Sequence, residues 1–148
     1  MFNIGDVAGI LGHWWHSYDE GHFEVLRELL TEDVQFTCRT DTGTTDFEEF
    51  VRADVSGREQ VMEWQIAHRT ASPYPLRHNT TNVHLTASGG DEATFASYLC
   101  VTHVVEGMPA LLSSGVVTGR VRREADRVRI ATLEVVLDTR SSVAFSER

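Results

Sequence analysis

The stretch from His78 to Leu137 constrains the fold more than any other part of the chain. Four segments of strand character run through it: His78 to Ala87, Glu92 to Glu106, Leu111 to Glu124 and Arg127 to Leu137. The turn residues that join them are Ser88-Gly89-Gly90-Asp91, Gly107-Met108-Pro109 and Ala125-Asp126. Joints this short cannot hold a crossover, so each strand must run antiparallel to the next. The residues before this meander supply its cover. Val7, Ile10, Leu11, Trp14 and Tyr18 fall on one face of a helix from Ile4 to Tyr18, which Gly21 interrupts. Phe23, Leu26, Leu29 and Leu30 predict a second short helix ending near Thr31, and Val34, Phe36 and Cys38 alternate with polar residues as in a half-buried strand. The polar, acidic Thr40 to Asp54 segment reads as a long loop or pocket flap with a short strand around Phe47 to Val51. Ser56-Gly57-Arg58-Glu59 matches a capping box opening a third helix through Val61, Trp64, Gln65 and His68, which Pro73 and Pro75 stop. The expected product is one α+β domain over residues 1–148. Its sheet is curved, mixed and mostly antiparallel, with the N-terminal helices on its concave face.

Composition removes several classes of chemistry. The chain has 148 residues, 41% hydrophobic and 24% charged, and its 13 basic side chains are all arginine. Without lysine there is no Schiff base, no pyridoxal phosphate attachment and no phosphate loop ending in Gly-Lys-Ser/Thr. A net charge of −9 disfavours nucleic acid and anionic membrane surfaces as partners. Cys38 and Cys100 have no Cys-x-x-Cys spacing and read as buried thiols. Met1 to Leu11 lacks the basic and apolar regions of a signal peptide, and no run approaches the roughly 20 apolar residues of a membrane span, so the expected location is cytoplasmic.

Asp19 admits two readings: it caps the second helix, or it serves a site at the end of the first. Tyr18 is a core aromatic or a ligand-binding hydroxyl. His103 lies in the apolar Leu99 to Val105 run and reads as a core histidine unless it faces the same cavity as His78. His13, His16, Asp19 and His22 recur every three residues, but the wheel spreads them around the helix, so no metal site is expected. Trp14, Trp15, Phe23, Trp64 and Phe95 serve as core or as walls of an apolar cavity. Ser113, Ser114 and Ser141 lack a nucleophile elbow, and Cys100 lacks a base.

Two local patterns sharpen this. Tyr18-Asp19 ends the first helix, followed by Gly21 and by Asp33-Val34-Gln35-Phe36 entering the first strand, and His78-Asn79-Thr80-Thr81-Asn82 opens the meander. With the order helix, helix, strand, helix, meander, they resemble the nuclear transport factor two-like superfamily. That superfamily has a cystatin-like cone and includes SnoaL-like polyketide cyclases, ketosteroid isomerase, scytalone dehydratase and hexachlorocyclohexane dehydrochlorinase. The motifs are most similar to the last two. The resemblance implies an aspartate–histidine dyad of Asp19 and His78, with Tyr18 binding a substrate oxygen and His103 as a second pocket histidine. Trp14, Trp64 and Phe36 would line the substrate pocket. The dehydrochlorinase's arginine on the last strand has no counterpart at Leu133 or Glu134, so a halide or anion pocket is not implied.

The implied activity is a cofactor-independent acid–base lyase, dehydratase-like, acting on a small hydrophobic molecule. An imidazole titrates close to neutral pH, and a buried carboxylate on one nitrogen fixes the tautomer that makes the other a base. An isomerase or polyketide cyclase would use the same dyad, and the superfamily also contains non-catalytic ligand-binding and interaction modules. Homodimers or homotrimers are implied by resemblance only.

Overall fold

The meander forms as its turns require. The computed structural model describes residues 1–148. Strands β3 (Leu76–Gly89), β4 (Glu92–Val105), β5 (Met108–Glu124) and β6 (Arg127–Leu137) pair antiparallel in succession. Before them come α1 (Ile4–Asp19), α2 (Phe23–Glu28), β1 (Leu30–Thr40), α3 (Glu48–Val51), β2 (Ala53–Ser56) and α4 (Arg58–Ala71). One sheet of six strands has the order β2-β1-β6-β5-β4-β3, and β1 lies parallel to β6. This is a mixed α+β architecture.

The concave face is fixed by register. Phe95, Leu99 and Val101 of β4 sit opposite Gly119, Gly115 and Ser113 of β5, and Leu133, Val135 and Leu137 of β6 continue the row. From β1, Phe36 and Cys38 join it across from Leu133 and Val135. Two glycines let this surface curl. A methyl on Gly119 would lie 2.3 Å from Thr132 O and 2.7 Å from Phe95 Cζ, and one on Gly115 would lie 2.4 Å from Val136 O. Only a residue without Cβ permits the strands and Phe95 to approach this closely.

Helix α1 lies against β3, and α4 against β1 and β2. Val7, Leu11, Trp14 and Tyr18 of α1 join Leu26, Val61 and the inner sheet residues in one apolar core. A capping box starts α1: Asn3 Oδ1 accepts from Asp6 N–H and Asp6 Oδ2 from Asn3 N–H. A Schellman motif ends it, with Gly21 N–H donating to Tyr18 O and His22 N–H to Ser17 O. Gly21 has φ +70°, which glycine adopts without penalty. No helix is long and apolar enough to cross a membrane.

Several expectations need correction. Ser56 does not cap α4: it ends β2, Gly57 at φ +89° is the N-cap with no side-chain bond, and Glu59 pairs with Arg27 instead. The β2–β1 pairing claims the backbone just before the helix, with Gly57 N–H bonded to Val34 O, so the serine is used as strand. The short strand expected around Phe47 to Val51 is helix α3, and the pairing strand lies just after it. Buried Glu48 causes this by accepting from Thr40 N–H at 3.2 Å and from the hydroxyls of Thr40 and Thr45, which fastens α3 to the end of β1. Asp19 caps nothing, since α2 begins after His22. Cys38 is buried, whereas Cys100 is half-buried.

Candidate active site

Where α1 ends, α4 and the inner sheet leave a cavity of about 370 Å³, with fourteen hydrophobic residues among the twenty that line it. That size and character suit a small organic molecule. The stop at Gly21 places Tyr18 and Asp19 at its edge, and Trp15, Tyr18 and Asp19 share one helical face at spacings of three and four. Arg69 of α4 fixes the same helix end. Its guanidinium is buried and donates to Tyr18 O (Nε, 3.1 Å), to Asp19 O (Nε 3.0 Å, Nη2 2.8 Å) and to Pro73 O (Nη1, 3.1 Å). A cation at the carbonyl end of a helix is favoured by both the bonds and the dipole.

Asp19 is 5% exposed and spends both carboxylate oxygens on one residue. Oδ1 lies 2.6 Å from His78 Nδ1, and Oδ2 accepts the His78 backbone N–H at 2.8 Å. This clamp sets the start of β3 and holds the imidazole with a proton on Nδ1. Trp15 stacks on the ring with centroids 4.5 Å apart and planes 2° from parallel, and Tyr18 meets its edge at 5.3 Å. His78 Nε2 is left without a protein partner in a ring that lines the cavity. Beside the clamp, Glu20 binds Arg77 at 2.8 Å and Tyr74 at 3.1 Å, so the approach to β3 is tied to α1 as well.

Tyr18 carries a second contact. Its hydroxyl lies 2.5 Å from His68 Nδ1, and the His68 ring rests between Trp64 at 4.5 Å and Phe50 at 4.6 Å. Burial pulls the pKa of His68 down to about 4, with His78 and Arg69 nearby adding to the effect. The imidazole is therefore neutral at physiological pH. Burial also raises the Tyr18 phenol, which keeps its proton. The Cys38 thiol in the wall is pushed up to about 12 by burial and by Glu48, so it offers no thiolate.

Asp19, His78 and Tyr18 thus come together, and Trp64 and Phe36 line the cavity. Trp14 does not: its ring is wholly enclosed in the core, because the helix turns Trp15 rather than Trp14 toward the cavity. Nor does His103, which pairs with Leu76 and sits half-exposed beyond the last lining residue of its strand, Val101. Gln65 and His68 were not marked as site residues by the sequence. Their spacing with Trp64 puts them on the inner stripe of α4, but nothing local announces that His68 meets a tyrosine fifty positions earlier.

The comparisons with known proteins agree with this architecture. No curated protein sequence matches the chain. A cystatin-like protein of unknown function from Nostoc punctiforme PCC 73102 has a TM-score of 0.72 at 18% identity, covering 90% of this chain and 89% of that one. A protein from Novosphingobium aromaticivorans DSM 12444, provisionally named a scytalone dehydratase, has a TM-score of 0.71 at 15% identity, with 93% and 87% covered. The β subunit of benzoate 1,2-dioxygenase from Burkholderia mallei ATCC 23344 has a TM-score of 0.70 at 17% identity, with 93% and 91% covered. At such identities these likenesses concern the fold. The model of the SnoaL-like domain matches residues 4–134, from the first turn of α1 into β6, and the chain belongs to the SnoaL-like domain family.

Proposed function

We propose that the protein is a cofactor-independent acid–base lyase, dehydratase-like, in which His78 oriented by Asp19 removes a proton from carbon. The observation that carries this is the 2.6 Å Asp19–His78 contact at the wall of an apolar cavity, with Nε2 free on the other side of the ring. With its proton held on Nδ1, the imidazole presents the Nε2 lone pair to a substrate. Proton transfer to Nε2 gives an imidazolium that the Asp19 carboxylate stabilises, and the stacked Trp15 face favours the same charge. The electron pair left on carbon forms the double bond as the neighbouring carbon–oxygen bond breaks. Nε2 returns its proton to the departing hydroxide, which leaves as water. Tyr18, kept protonated by its burial, holds a substrate carbonyl oxygen, and the apolar walls strengthen that bond by excluding water.

A substrate lacking the leaving hydroxyl would undergo isomerisation by the same proton transfer. The test begins with small molecules extracted from the purified protein and their turnover. Asp19→Asn removes one acceptor of the clamp, and His78→Ala removes the base; each is expected to lower kcat by about 10²–10⁴-fold with the fold unchanged by circular dichroism. Full turnover in both variants refutes the dyad.

A further inference from the structure

Two polar side chains on the inner face of α4 are unexplained by the dyad. Gln65 is 2% exposed and lines the cavity, and its Nε2 is enclosed without a partner; because neither end of the amide holds a hydrogen bond, turning it about its last bond brings the N–H to the cavity at no loss. Leaving an amide group dry costs about 1–3 kcal/mol, which a leucine at the same place would avoid. His68, three residues on, has its Nδ1 at Tyr18 and its Nε2 buried without a partner. A neutral imidazole carries one N–H. On Nε2 that proton would be an orphaned buried donor; on Nδ1 it is donated to the Tyr18 oxygen and only a lone pair goes unmatched, the milder defect. The Tyr18 O–H is then released from His68 and turns toward the cavity side, where the Ser72 hydroxyl is its neighbour and a ligand oxygen can share it.

We propose that Gln65 and the Tyr18 hydroxyl, oriented by His68, form an oxygen-binding subsite on the α4 side of the cavity for a neutral, flat ligand bearing a ketone oxygen. Neutrality follows from the wall, which contains no arginine, aspartate or glutamate to balance a charge. Flatness follows from the rings of Trp15, Phe36, Phe50 and Trp64 that bound the space. Two donors on one carbonyl would also stabilise the enolate formed when His78 takes a proton from the adjacent carbon. The inference rests on the reading of the cavity as a substrate site and names the class of substrate. His68 is a positioning residue that acts through Tyr18.

The test compares 1-tetralone with tetralin, which has the same ring system without the oxygen, by quenching of tryptophan fluorescence. The readout is the tetralone-to-tetralin affinity ratio, so differences in hydration between the probes cancel when proteins are compared. Gln65→Leu and His68→Phe are each expected to lower the wild-type ratio roughly three- to tenfold, the worth of one hydrogen bond, while Asp19→Asn retains it. An unchanged ratio in Gln65→Leu, loss of the ratio in Asp19→Asn, or failure of wild type to bind tetralone overturns the proposal. Nitrogen-15 spectra of wild type check the tautomer without a variant: His68 is expected to be protonated at Nδ1, and a proton on Nε2 removes its assigned role. A ratio that collapses in Gln65→Leu, together with full turnover in Asp19→Asn and His78→Ala, would leave the subsite standing and the dyad refuted.

Discussion

Arg69 is the residue whose replacement most directly tests how the site is held. Arg69→Leu withdraws a charged donor from four carbonyls, those of Tyr18, Asp19, Ser72 and Pro73, and leaves Asp19 O at the buried end of α1 without a partner. Charge-assisted hydrogen bonds are worth about 1.5–3 kcal/mol each, and removing the guanidinium recovers part of that through its lost desolvation penalty. A net loss of about 3 kcal/mol is expected. Arg69→Lys keeps the charge but not the planar fork that reaches carbonyls on both sides, and should lose about half as much. Urea unfolding measures both. With a slope of about 1–3 kcal/mol per molar, Arg69→Leu moves the midpoint down by about 1–3 M at constant slope. Because Arg69 touches Asp19 only through its carbonyl, the variant should also weaken the low-field proton resonance of the Asp19–His78 contact. A loss below about 1 kcal/mol with that resonance intact would refute the claim that Arg69 positions the dyad.

Other outcomes follow from the same structure. Gly119→Ala drives a methyl into Thr132 O and Phe95 and should cost about 2–4 kcal/mol in urea unfolding; a neutral result would mean that the curl is not set there. Gln65→Leu replaces an unpartnered amide by an apolar side chain and should raise Tm by about 2–4 °C in calorimetry, whereas a fall would mean the amide is satisfied in the empty protein. His68 has a folded pKa lowered from 6.5 to about 4, so the unfolded chain binds more protons between those values. Its contribution to stability is complete above pH 6.5 and is lost as pH falls toward 4. Allowing for partial exposure, that loss is about 2 kcal/mol, and His68→Phe should flatten the dependence of unfolding free energy on pH by that amount.

The meander was legible because its signals are local: alternating side chains and short joints leave one pairing scheme, and Arg127 to Leu137 is the observed β6. The pairing of Tyr18-Asp19 with His78 was legible only through resemblance to a superfamily, since fifty-nine positions separate Asp19 from His78 and no period links them. Local rules failed where a distant partner outbid them. Ser56 and Glu59 have capping-box spacing, but β1 claims the backbone beside Ser56 and Arg27 claims Glu59. Glu48 lies in a polar, acidic stretch that reads as loop, and becomes buried because Thr40 supplies both a backbone and a hydroxyl donor. Trp14 and Trp15 are adjacent identical residues, and which of them faces the cavity depends on where α4 and β3 stand.

The parallel contact between β1 and β6 also governs when a nascent chain can become competent. Every other strand pairing in the sheet joins elements consecutive in the order of strands, whereas β1 must wait for the last strand to be synthesised before its inner edge is satisfied. Val135 and Leu137, which close one wall of the cavity, arrive at that same moment. Until then the growing polypeptide carries an unpaired β1 edge and an open apolar trough, the kind of surface on which chaperones act and aggregation begins. Ribosome-bound chains arrested just before β6 should therefore be far more protease-sensitive than chains released with it, and ligand should bind only the latter.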